Sequence, residues 1–237
     1  MINNSLSNKT KTITDSKSYD SSHVFIIENP IMYVVMLMIL DKYNINHNRV
    51  HIAYLRKSEF LTNGMFPVID YNEFWFDKYI TKFFRISLKG KRIRSKLNKK
   101  KQSFILYTNH ASLALESILD SRYCKGHIYI EEGQISYWKD GLFSFKNTTF
   151  FNRMKEYYHD KRFGKSKNFY RDDAKAFIGI TADAFPEVPK EKRHIIDNYD
   201  TLKKYYKPKL LGVKTIGLTC AERRIQGSQW KSMLESL

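Results

Sequence analysis

The chain has 237 residues, with 41 Lys+Arg against 24 Asp+Glu and a formal net charge of +17. Hydrophobic residues make up 42% and aromatics 15%, which excludes a wholly disordered chain, because there is apolar surface enough for a core. Ten glycines and five prolines exclude collagen-like and Gly-rich classes, and two distant cysteines, Cys124 and Cys220, exclude a disulfide framework and a Cys-type zinc site, which fits a reducing compartment.

Residues 1–22 are rich in Ser, Asn, Thr and Lys and read as a disordered leader. Val24–Ile27 reads as a buried strand, separated by Glu28-Asn29-Pro30 from a second apolar run. Pro30 suits the first turn of a helix, which continues over Ile31–Asn44. A membrane span over Val24–Leu40 fails on length. Its uninterrupted apolar run is only Pro30–Leu40, against the roughly 20 residues a bilayer requires. Nothing at the N-terminus resembles a secretory signal.

Arg49–Tyr54 is a second strand, Val68–Tyr71 a third short one, and Phe74–Phe84 an aromatic helix. Arg85–Lys101 holds nine basic residues and no acid. It reads as a solvated face or loop, or as a patch for a polyanion. Phe104–Thr108 is an apolar strand, Ala111–Leu119 a short amphipathic helix, and His127–Ile130 a strand that runs into Glu131-Glu132-Gly133. Residues 134–175 read as basic, aromatic surface loops with some helix. Lys175–Thr181 is a strand, Asp183–Pro189 a turn and Lys192–Tyr205 a helix. After a linker at Tyr206–Gly212, a strand at Lys214–Thr219 and a helix at Ser228–Leu237 begin a new unit.

Short apolar strands alternating with helices predict an α/β fold, a Rossmann-like, mainly parallel sheet flanked by helices. Residues 23–207 form its domain, and 208–237 read as a linker and the start of a second Rossmann-like domain. A domain seldom opens a strand–helix unit and stops there, so the chain is expected to be truncated or to pack its tail back on the first domain. Ligands of parallel sheets bind beyond the carboxyl ends of the strands. The turns at Glu28-Asn29-Pro30, Asn109-His110 and Glu131-Glu132-Gly133 are therefore expected on one rim.

The acidic pair is the main chemical candidate. Burial and mutual repulsion can push neighbouring carboxylates apart in pKa and leave one as a general base. Gly133 permits the turn that presents them. The competing reading is a polar strand end. Asn29, Asn109 and His110 read as turn or helix-start residues, or as substrate contacts. Tyr137 either packs or lines a sugar pocket. His47 and His51 have an i, i+4 spacing, but no helix is expected across Arg49–Tyr54, so they make no metal pair. HExxH, Walker A, GxGxxG, GxSxG and DxD patterns are all missing from the sequence. A nucleotide-sugar transferase built on this chain would therefore work without a bound divalent metal.

The order of a strand ending in Asn29-Pro30, a buried helix, then FILYTNHASLALESIL and YIEEGQISYW resembles the N-terminal half of bacterial GT-B sialyltransferases. The likeness is to the lipooligosaccharide sialyltransferases of glycosyltransferase family 52 and the related capsule polysialyltransferases. Those families carry a D/E-D/E-G motif followed by an aromatic residue, matched here by Glu131-Glu132-Gly133 with Ser136-Tyr137 after it. The resemblance implies that Glu131 or Glu132 deprotonates an acceptor sugar hydroxyl. That oxygen attacks the anomeric carbon of CMP-sialic acid with inversion, and no metal or other cofactor takes part. It implies an acceptor oligosaccharide as partner, with Asn29, Asn109, His110, Gly133, Ser136 and Tyr137 as substrate-binding positions. It also implies a cytoplasmic location, with the basic segments in peripheral contact with anionic lipid on the inner face of the membrane.

The sequence departs from those families in having no His-Pro dipeptide, the motif that neutralises the leaving nucleotide. Weak or no transfer by the chain as it stands is the corresponding expectation. Two alternatives stay open, a non-catalytic basic module for anionic glycan or nucleic acid and a GT-B enzyme with another nucleotide sugar. No helix-turn-helix, RNP or zinc-finger pattern supports specific nucleic-acid binding.

Overall fold

The computed structural model describes residues 21–55, 65–69, 82–110, 112–137, 170–171 and 173–205. The chain divides into a unit Met1–Leu202 and a unit Lys203–Leu237, and the fold below is that of the first. The elements predicted over Tyr206–Gly212, Lys214–Thr219 and Ser228–Leu237, most of the helix predicted at Phe74–Phe84 and most of the loops at 134–175 lie outside the described residues.

Among the described residues there are six strands: β1 Ser22–Ile26, β2 Val50–Ala53, β3 Phe104–Thr108, β4 Cys124–Ile130, β5 Ala176–Gly179 and β6 Arg193–Ile195. They form one sheet in the order β2-β1-β3-β4-β5-β6, and every registered pair is parallel. An isolated parallel bridge from Ile52 to Val68 extends the sheet beyond β2, where the third short strand is expected. The longer helices among the described residues are α1 Pro30–Lys42, α2 Lys82–Lys100 and α3 Leu113–Leu119. This is an α/β domain of Rossmann-like architecture.

The order of the strands fixes where a ligand can sit. From β1 the chain steps outward to β2 and Val68, then returns to the far side of β1 as β3. The connections leaving β1 and β3 therefore diverge, and their carboxyl ends form a topological switch point. Right-handed crossovers in opposite directions also place the helices on both faces. On one face Val24, Ile26, Phe104, Leu106 and Tyr129 pack with Ile93 and Leu97 of α2 and Ala114, Leu115 and Ile118 of α3. On the other, Phe25 stacks on Tyr107 with ring centroids 4.1 Å apart. α1 is apolar nearly all round and is buried from Met32 to Leu40 except at Val34, as a helix enclosed on more than one side must be. No helix among the described residues is long and apolar enough to cross a membrane.

Three sequence expectations change. β1 takes in Ser22, assigned above to the leader, because its amide bonds Ser103 O at 2.8 Å. The basic run Arg85–Lys101 is neither loop nor uniformly solvated. It is α2 up to Lys100, with Ile93 and Leu97 buried on one stripe. Lys192–Tyr205 is not a helix: it opens with the edge strand β6 and reaches helical turns only at Tyr199–Thr201 and Leu202–Tyr205. Asn198 and Thr201 there bond Asp41 of α1, at 3.2 and 2.6 Å, and these tertiary bonds override local helix preference.

Two buried histidines make the fold acid-sensitive. Burial holds His127 at a pKa of about 4, with Asp173 opposing the shift, and burial followed by Arg49 holds His23 at about 4. His23 Nδ1 lies 2.9 Å from Tyr107 Oη. Both values are depressed from 6.5, so below pH 6.5 the unfolded chain binds protons the folded chain does not, and stability falls with pH. The melting temperature is expected to drop as the pH falls from 6.5 to 4. His127→Gln should flatten part of that slope, whereas an unchanged slope would remove His127 from the account.

Candidate functional site

The rim at the switch point is built from three strand ends. After β1, Asn29 caps α1: its Oδ1 accepts from Met32 N at 3.0 Å, while its Nδ2 donates to Glu132 O, also at 3.0 Å. Asparagine suits this position because it satisfies a free helix N–H and keeps an amide donor to spare. Pro30 follows in the first helical turn.

After β3, Asn109 is buried and hydrogen-bonds Glu132 Oε2 through Nδ2. Its Oδ1 accepts from the His110 amide at 3.0 Å. The His110 imidazole then lies with Nδ1 3.7 Å from Glu132 Oε1. The Asn109-His110 dipeptide thus brackets the Glu132 carboxylate, one residue toward each oxygen.

After β4 the acidic pair separates, as alternation along a strand requires. Glu131 turns toward β5. Its Oε1 accepts from Tyr137 Oη at 2.5 Å and its Oε2 from Ile180 N at 2.8 Å, so both oxygens are spent on the protein. Tyr137 Oη also accepts from Thr181 Oγ1 at 3.2 Å. Burial, then the bond to Glu131, push the Tyr137 phenol up to about 12. Glu132 instead turns toward β3 and the switch point. Its Oε1 has no hydrogen bond from the described residues.

The turn that follows keeps this arrangement. Gly133 has φ +107, a conformation that disfavours side chains, and a Cβ there would come within 3.1 Å of Ile31 on α1. Ser136 is buried, and its Oγ accepts from Glu132 N at 3.1 Å.

The predicted site residues therefore sort into two groups. Asn29, Asn109, His110, Glu132, Gly133 and Ser136 meet at the switch point. Glu131 and Tyr137 form a second, inward cluster on β5. Thr181 and the Ile180 amide belong to that cluster and were not singled out from sequence; the signal that could have found them is their place at the carboxyl end of the strand predicted over Lys175–Thr181. Among the described residues no group of three or more His, Cys, Asp or Glu could hold a metal ion. Compared with protein-family models, curated proteins and solved structures, the chain gives no match.

Proposed function

We propose that this chain is a nucleotide-sugar-dependent glycosyltransferase, or a domain of one, whose acceptor hydroxyl is deprotonated at the β3/β4 rim. The Rossmann-like scaffold is consistent with an enzyme acting on a nucleotide-linked substrate. The observation that carries the reading is the Glu132 carboxylate. It stands at the switch point, held by Asn109 on one oxygen with the other left toward His110. An alcohol is a poor nucleophile until its proton is being removed, and a fixed carboxylate beside the ligand crevice supplies the basic charge. Glu131, with both oxygens bonded inside the protein, is the structural member of the pair.

The finer reading follows the resemblance set out above: the donor is CMP-sialic acid and the acceptor a lipooligosaccharide or capsule glycan. The exposed basic side chains of α2, Lys91, Lys96, Lys99 and Lys100, support contact with an anionic surface, since lysines near such a surface each contribute about 1 kcal/mol. The test is acceptor-dependent release of CMP from CMP-sialic acid by the protein expressed from its own locus, with UDP-sugars run in parallel. Release from the CMP donor alone is expected. Release only from a UDP donor would replace the donor assignment, and turnover of neither would remove the transferase reading.

A further inference from the structure

Asn109 is 1% exposed, so it is placed to act through a neighbour rather than on a ligand directly. The donors around it fix the orientation of its amide. Its Oδ1 faces the His110 backbone N–H at 3.0 Å and the Thr108 hydroxyl at 3.4 Å. A backbone N–H can only donate, so the atom facing it is the oxygen and the other amide atom is the NH₂. That NH₂ donates to Glu132 Oε2. An amide NH₂ cannot accept a hydrogen bond, so a proton on Oε2 would face a donor. Glu132 Oε1 is the opposite case. It is a buried atom with no hydrogen bond from the described residues, on a side chain 8% exposed. A buried carboxylate oxygen without a donor is costly to keep, and a ligand hydroxyl is a donor that satisfies it.

We propose that Asn109 is a positioning residue, which occupies Glu132 Oε2 and so reserves Oε1 as the atom that takes the acceptor proton. This rests on the transferase reading above and names the residue that governs its key step. The Oε1 lone pair takes the hydroxyl proton as the O–H electron pair forms the bond from the acceptor oxygen to the anomeric carbon. The bond from that carbon to the phosphate oxygen breaks, and its electron pair leaves on the nucleotide. The proton then passes from Oε1 to water. The His110 side chain stands beside Oε1, with Nδ1 at 3.7 Å, and shifts as the acceptor enters.

Among the described residues, the titratable groups that face Glu132 are His110, at the end of β3, and Tyr170, whose phenol is pushed up by burial and then by the Glu132 charge. Glu131, the neighbour on β4, turns away to Tyr137 and Ile180. Asn109→Asp adds one carboxylate to this set and alters none of its other members. It keeps an oxygen for the His110 N–H and the Thr108 hydroxyl, and it puts a second oxygen where the NH₂ met Oε2. Two carboxyl groups in such contact share a proton rather than both ionising.

Two measurements test the assignment. The first needs no substrate: carboxyl ¹³C NMR, with the Glu132 signal assigned by its loss in Glu132→Gln. Its titration midpoint is expected to rise by about two units in Asn109→Asp and by about one in Asn109→Leu, which only removes the donor. A midpoint unmoved in both variants, with thermal melts showing them folded, would overturn the proposal. The second is kinetic. The acid limb of kcat/KM reports the free enzyme's base, so in Asn109→Asp it is expected to move up by the same two units. On that limb the rate is then about 10²-fold below wild type, and it recovers as the pH is raised. A loss independent of pH would overturn the positioning role, as would a raised acceptor KM at unchanged kcat, which would make Asn109 a substrate contact. Should the wild-type protein transfer no sugar while the NMR midpoint moves, the transferase reading fails and the reservation of Oε1 by Asn109 stands.

Discussion

Glu132→Gln is expected to cost about 10³-fold in transfer rate and little stability, and Glu131→Gln the reverse. The two residues are adjacent and chemically identical, so the contrast isolates environment. Glu132 keeps its amide bond to Ser136 and its carbonyl bond from Asn29, both made by backbone atoms. Replacing its carboxylate with an amide preserves shape and removes only the charge that draws a proton. General-base removal of this kind is worth about 10²- to 10⁴-fold. Glu131 is 2% exposed and accepts from a phenol and a backbone amide. Gln in its place can still accept at one oxygen. Its NH₂ must then face either Tyr137 Oη or the Ile180 amide, and a donor facing the Ile180 N–H leaves that group unsatisfied. Loss of a hydrogen bond to a charged group, with its partner left buried, costs about 3 kcal/mol. Urea denaturation of both variants beside CMP-release assays measures the split. Equal loss of rate without loss of stability in the two would mean that the pair acts jointly.

How much of this was legible in the sequence depended on the kind of signal. FILYT is a continuous apolar run and HIYI is apolar after its histidine, and such runs mark buried parallel strands. Their ends put Asn109-His110 and Glu131-Glu132-Gly133 on one rim before any coordinates. The sequence did not show which glutamate faces the crevice, because alternation says that neighbours diverge and not which way the sheet is turned. That required α1 and α3 to be placed on their faces. The helix α2 was hidden by its own composition. Lysines and arginines dominate its composition, while Ile86, Gly90, Ile93 and Leu97 recur at helical spacing through the same residues. At Arg193–Ile195 the three-residue edge strand is too short to show a period, and its pairing with β5 is tertiary.

Gly90 shows what that hidden stripe does, and Gly90→Val is expected to be the most damaging single change in the α2–α3 face. A Cβ at position 90 would lie 2.4 Å from Ala114 O and 2.6 Å from Ala114 Cα. Both are backbone atoms, so no side-chain rotation relieves the clash. The two helices approach closely because glycine here meets alanine there, and the ridges of larger side chains, Ile93 and Leu97, then reach Ala114, Leu115 and Ile118 in one cluster. Valine would force α3 away from α2 by more than an ångström and open the packing around Leu115. Overpacking of this kind costs about 3 kcal/mol, a large fraction of the stability of a domain this size. Gly90→Ala adds one methyl and meets the same backbone, so helix propensity, which favours alanine by about 1 kcal/mol, is outweighed. A stabilising Gly90→Ala would therefore show that the helices can part at low cost. The consequence reaches the site, since α3 is capped by Ser112, two residues after His110, with Ser112 Oγ accepting from Leu115 N at 3.2 Å. Displacing α3 would move the Asn109-His110 turn off the Glu132 carboxylate. Folded Gly90→Ala protein is accordingly expected to lose transfer activity beyond what its reduced stability explains, which parallel melts and CMP-release rates would resolve.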